Sequence, residues 1–114
     1  MNFAIRPDQG LDLVFAAGSD EENGAARVWL SGELDVAGAP ILAREFERLE
    51  RDGRVVTVLD LSRLAFIDAV GLNALLEARG RAGNGRPPAL VGARPAVSKV
   101  FELVGLRHYL GDRW

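Results

Sequence analysis

The sequence predicts an α/β domain with a mixed, mainly parallel sheet of four to five strands, and three features carry that reading. Val55-Val56-Thr57-Val58-Leu59-Asp60-Leu61 is a nearly continuous β-branched and apolar run. Such runs form strands covered on both faces. Three stretches with helical spacing of apolar residues alternate with the strand-like segments. A strand–helix–strand order requires right-handed crossovers and parallel pairing.

Taken in order, Leu11-Asp12-Leu13-Val14-Phe15 predicts a first strand and Ala26 to Leu34 a second, with the acidic, glycine-bounded Gly18–Gly24 stretch as their hairpin connection. The first helix opens with Pro40 in its initial turn and aligns Leu42, Phe46 and Leu49, while Arg44, Glu45, Glu47, Arg48 and Arg51 face out. After the central strand, which Ser62 ends, a second helix begins near Asp68 with Leu72, Leu75 and Leu76 as its stripe. Pro87 to Gly92 suits one short strand, and Gly83-Asn84-Gly85 is a turn signal. Pro95 starts the third helix, whose stripe is Val97, Val100, Phe101 and Val104, and Gly105 stops it. Leu106 to Leu110 is a candidate final short strand.

A chain of 114 residues suits one domain over residues 1–114. With no cysteine, it has no disulfide, thiolate metal site or cysteine nucleophile. No apolar run approaches the roughly 20 residues of a membrane span, and the first residues lack a signal-peptide pattern. A cytoplasmic protein without direct membrane insertion is expected. The net charge of −2 covers two unlike halves, with five arginines against eleven carboxylates in residues 1–53 and nine basic against five acidic groups in residues 54–114. No basic block interleaved with aromatics points to nucleic acid.

Catalytic chemistry finds little to use. His108 is the single histidine and stands outside any motif, so neither a triad nor a histidine metal site is supported, and no metal or other cofactor is expected. Asp60 and Asp68 could meet at the strand's C-terminal end, where open α/β sheets bind ligands, but two aspartates eight residues apart are weak grounds for acid–base or Mg2+ chemistry. A phosphate-cradling G-x-x-x-x-G-K-[ST] loop is absent.

The segment Leu59-Asp60-Leu61-Ser62 to Phe66-Ile67-Asp68-Ala69-Val70-Gly71-Leu72 resembles the central motif of STAS domains of the anti-sigma factor antagonist type. Gly32-Glu33-Leu34-Asp35 is similar to that family's turn before the first helix, and Pro95 to Leu106 to its last helix. The resemblance implies helices mostly on one face of the sheet and no enzymatic activity. It also implies a partner, an anti-sigma factor, commonly a serine/threonine kinase, that modifies the hydroxyl residue directly after the motif aspartate.

That position is Ala69 here, and the next, often another hydroxyl residue in the family, is Val70. Neither side chain has an oxygen to accept a phosphoryl group, so the usual charge switch at a helix N-terminus cannot operate at these positions. Ser62 and Ser98 are poor substitutes, one at a strand end and one within a helix.

The partner-binding surface expected from the resemblance is the start of the second helix together with the Glu33–Gly38 loop, with Asp35, Asp68, Ala69, Val70, Gly71, Leu72 and Asn73 as its named residues. Local chemistry assigns Asp68 a helix-capping role beside any contact role, and Gly71 a close approach to neighbouring backbone. Val70 suits an exposed contact or the core equally. The function expected is a binding module that controls sigma-factor availability without phosphorylation control. An alternative is a scaffold or accessory subunit of a signalling assembly or lipid-transport complex, and a homodimer or larger assembly fits either. A third reading is a nucleotide or small-molecule site at the sheet's C-terminal edge.

Overall fold

The computed structural model describes residues 14–82 and 85–111. Its elements are β1 (Ala16–Glu22), β2 (Ala25–Leu34), α1 (Ala39–Arg51), β3 (Val55–Ile67), α2 (Ala69–Arg81), β4 (Ala89–Val91) and α3 (Pro95–Leu103), followed by a 3-10 turn at Arg107–Tyr109. One sheet has the order β1-β2-β3-β4, with β1 antiparallel to β2 and the other pairs parallel. The mixed, mainly parallel α/β class is the one expected, with four strands.

The first hairpin corrects the sequence reading. Gly18 to Glu22 belong to β1 instead of a loop, because Glu22 pairs with Ala25 and leaves only Asn23-Gly24 as the connection. Both loop residues have positive φ, 54° and 82°. That geometry matches the twist of the flanking strands, which is why Asn-Gly sets the register more firmly than the upstream apolar run does. Val14 and Phe15 lie outside the strand, and the rest of the predicted first strand, residues 11–13, falls outside the described residues. Gly18 sits opposite Trp29, and a Cβ there would lie 2.2 Å from Trp29 Cζ2. The indole occupies that space.

β3 is also longer than predicted, continuing through Ser62 and Arg63 to Ile67. Its register against β2 shifts three times, each shift adding one residue to β3. Strict alternation is therefore lost, yet Leu59, Leu61, Leu64 and Ile67 all end fully buried. The bulges turn a sequence that looks like a strand followed by a loop into one continuous strand.

On β2, Val28 and Leu30 enter the core while Arg27 and Trp29 take the opposite face. On that face the Arg63 guanidinium lies 5.4 Å from the centre of the Trp29 ring, and Arg27 pairs with Asp60 at 3.7 Å. α1 and α2 pack side by side on the core face, burying Leu42, Leu49, Leu72 and Leu75. β4 pairs with β3 only over Val58–Asp60. α3 packs against β3, inserts Val97 and Phe101 into the same core, and anchors its start through Arg94 Nε, which donates to the Ser62 carbonyl at 2.8 Å.

The end of α3 shows a second correction. The helix stops at Leu103, so Val104 is half exposed and outside the buried stripe. Gly105 has φ 78°. It donates to Glu102 O at 3.1 Å, and Leu106 donates to Phe101 O at 2.7 Å, the paired bonds of a Schellman closure. The predicted strand over Leu106 to Leu110 is instead the 3-10 turn and a single parallel bridge between Leu110 and Leu90. The Schellman bonds turn the chain sharply, and it meets β4 at Leu110 and at Gly111, whose N–H donates to Leu90 O at 2.8 Å.

Arg48, expected to face solvent, ties α1 to β1 and to its own helix end. It reaches Glu21 at 3.1 Å, Glu45 at 3.0 Å, Asp52 at 3.1 Å and Ser19 Oγ at 3.2 Å. Arg54 Nε adds a second contact to Glu21 at 3.0 Å. Hydrogen bonding from Arg48, against partial desolvation and with help from Ser19 and the charge of Arg54, holds the Glu21 carboxyl below the usual glutamate range. A lowered folded-state pKa gives stability that is present above the unfolded value of about 4.3 and lost as pH falls through the folded value. Glu21→Gln should therefore lower Tm at neutral pH and flatten the acid side of the Tm–pH curve, the two proteins converging once Glu21 is protonated; thermal melts across pH check this.

Candidate functional site

The start of α2 is fixed by backbone contacts before any partner is considered. Asp68 is extended, with φ −109° and ψ −174°, and its Oδ1 accepts the Gly71 N–H at 2.8 Å, the expected N-cap. Its own N–H donates to Leu34 O at 3.3 Å, which joins the turn to the end of β2. Gly71 then sits so close to β2 that a Cβ would lie 2.0 Å from Leu34 O. Only glycine permits that approach.

The loop between β2 and α1 is built in the same manner. Asp35 Oδ1 accepts from Ala37 N–H at 3.0 Å and Gly38 N–H at 3.3 Å, and the Asp35 carbonyl accepts from Gly38 and Ala39. Gly38 is pressed against Phe15, with a Cβ position 2.9 Å from the Phe15 side chain. Val36 stands at the loop's outer side, 70% exposed.

These two segments bring the predicted surface residues into one neighbourhood, since both are anchored at Leu34. Ala69, Val70 and Asn73 are exposed, and Val70 at 50% is a surface residue and not a core one. Asp35 and Asp68 are half-buried and use one carboxylate oxygen each in the turns. Gly71 and Leu72, grouped with this surface on the sequence, are buried. Gly71 faces Leu34 and Leu72 lies in the core, so both position the turn instead of presenting atoms to solvent.

Val36 lies in the Glu33–Gly38 loop expected to contact a partner, but was not singled out within it. No spacing rule marks it, because its exposure follows from the Asp35 turn that lifts it outward. Phe66, 44% exposed on β3, was missed for a similar reason: the bulge before it sends Ile67 and not Phe66 into the core.

The remaining chemical candidates are occupied or apart. Asp60 lies mid-strand, pairing with Arg27 and accepting the Ser62 N–H at 2.9 Å. The seven further residues of β3 put Asp68 about 20 Å beyond it, so the two aspartates do not meet. Ser98 Oγ donates to Pro95 O at 3.3 Å within α3. His108 is exposed with its ring 4.7 Å from that of Tyr109. Among the described residues no group of three or more His, Cys, Asp or Glu side chains is placed to hold a metal ion.

The family described as "Mlab, STAS domain" matches residues 17–112, and the chain belongs to the STAS family. Among solved structures it is similar to an anti-sigma factor antagonist from Mycobacterium paratuberculosis, with 26% identity, a TM-score of 0.70, and coverage of 85% of this chain and 83% of that one. It also shares the fold of the anti-sigma factor antagonist SpoIIAA in its unphosphorylated form, with 23% identity, a TM-score of 0.69, and coverage of 87% and 89%. No curated protein matches the sequence.

Two substitutions separate the contacts that hold the turn. Asp68→Ala removes the cap and should cost about 1 kcal/mol in urea unfolding. Gly71→Ala forces a methyl group into the Leu34 carbonyl and should cost about 1–3 kcal/mol, with loss of α2 docking visible as faster hydrogen exchange at the Asp68 and Leu72 amides.

Proposed function

We propose that this chain is a non-enzymatic regulatory binding module that engages an anti-sigma factor, of the serine/threonine kinase type, through Asp35, Val36, Asp68, Ala69, Val70 and Asn73. In this reading the module controls sigma-factor availability from the cytoplasm and is always competent to bind. The observation that supports it most is Val70, an exposed apolar residue in the first turn of a helix whose position is locked by Asp68 and Gly71. The STAS family consists generally of binding modules without catalytic activity, and the fold shared with anti-sigma factor antagonists agrees with a regulatory role. Among the described residues no helix is long and apolar enough to cross a membrane.

The absence of a hydroxyl at Ala69 and Val70 also favours a second reading, a STAS subunit held permanently in a signalling assembly or lipid-transport complex. A permanent interface needs no switch. Sedimentation of the native complex separates the two, because the first reading requires a partner that dissociates and the second a stable assembly.

Val70→Asp tests the surface itself. The new charge sits in the first turn of α2, where the helix dipole is worth about 0.3–1 kcal/mol in its favour, so folding should be preserved. Burying that carboxylate against a partner should weaken binding by about tenfold or more, as for a central interface residue. Calorimetry with candidate anti-sigma kinases from the same organism measures it, and unchanged affinity would count against this surface.

A further inference from the structure

A groove distinct from the α2 N-terminus runs between α1 and α2. Its volume is about 550 Å3, within the roughly 300–1,000 Å3 of small-molecule sites. Ala39, Ala43 and Phe46 line it from α1, Ala74 and Ala78 from α2, and Ala82 from just past the end of α2. On both helices the alanines recur every fourth residue, so each helix offers a low ridge and a trough remains between them. The rim is charged, with Glu47 and Glu50 on α1, Glu77 and Arg81 on α2, and Arg54 beyond the end of α1.

Those charges are not balanced. Arg54 is committed to Glu21 at 3.0 Å. Glu47, Glu50 and Glu77 are exposed and join no ion pair among the described residues. An apolar floor therefore lies under three uncompensated carboxylates, with only Arg81 opposing them.

We propose that this groove is the docking site for an amphipathic helix of a partner protein, with its apolar seam on the alanines and lysine or arginine on its flanks. From Ala39 to Glu50 the trough runs about 17 Å, or three helical turns, which suits apolar anchors at i, i+4, i+7 and i+11. The small floor lets a helix backbone approach closely, and the visitor's larger side chains fill the volume the alanines leave. Basic flanks meet Glu47 and Glu50 on one side and Glu77 on the other. A helix with acidic flanks is repelled by the same three groups. The groove enters α2 at Ala74, past the exposed first turn, and shares Val36 alone with the surface proposed for the anti-sigma factor, so peptide binding mapped to Ala43 and Ala78 is read separately from that reading.

The full chain can be tested with a fluorescein-labelled synthetic helical peptide of roughly 12–15 residues, carrying leucine at those anchor positions and lysine on both flanks. Binding is read by anisotropy and mapped by amide chemical shifts. The peptide should bind with shifts centred on Ala43 and Ala78, weaken by about tenfold or more when glutamate replaces its lysines, and weaken with added salt. The double variant Glu47→Lys, Glu77→Lys should lose that discrimination while its circular dichroism is unchanged. Ala78→Trp, which fills the trough, should abolish binding, and the charge variant carries the test if that protein misfolds. No binding, equal binding of the two peptides, shifts centred elsewhere, or self-association of the free chain through these helices would each overturn the proposal.

Discussion

The fit of Gly71 against the Leu34 carbonyl is the constraint on which the candidate site depends. It leaves no room for a side chain, so α2 starts where β2 ends. Around it, the Asp68 N–H bonds to the same carbonyl and the Asp68 side chain caps the helix. The first turn of α2 is thus held by three backbone-level contacts, and none of them needs a partner. A surface preorganised in this way loses little conformational freedom on binding, which is where preorganisation gains affinity.

That arrangement explains how the motif keeps its shape without its hydroxyls. Asp68, Gly71 and Leu72 do structural work, as cap, close contact and core residue. Ala69 and Val70 are exposed, Val70 at 50%, and neither side chain makes a hydrogen bond in the turn. A chain can therefore replace both exposed positions while the buried ones hold the fold. In the proposed function this separates docking from regulation: the platform remains, and the acceptor for a charge switch does not.

The strand–helix alternation, the α1 stripe at Leu42 and Leu49, the cap at Asp68 and the glycine stop at Gly105 were legible because each rests on local chemistry. Features set by pairing between strands were not. Gly18 to Glu22 form a strand only because β2 supplies their hydrogen bonds, and β3 runs past Ser62 with two of its bulges, between Asp60 and Arg63 and at Ala65, redirecting Leu64 and Ile67 inward. The same limit applies to the site. The aspartates and glycine could be placed from the motif and Leu72 from its apolar stripe, whereas the outward position of Val36 and the Arg48 network depend on packing that no single segment encodes.

The central claim is that the first turn of α2 docks a kinase-type anti-sigma factor and carries no switch. It is tested most directly by incubating the chain with such a kinase and ATP, then measuring intact mass and affinity on the same sample. The account predicts an unmodified mass and an affinity equal to that without ATP hydrolysis. A phosphorylated chain that no longer binds would contradict it.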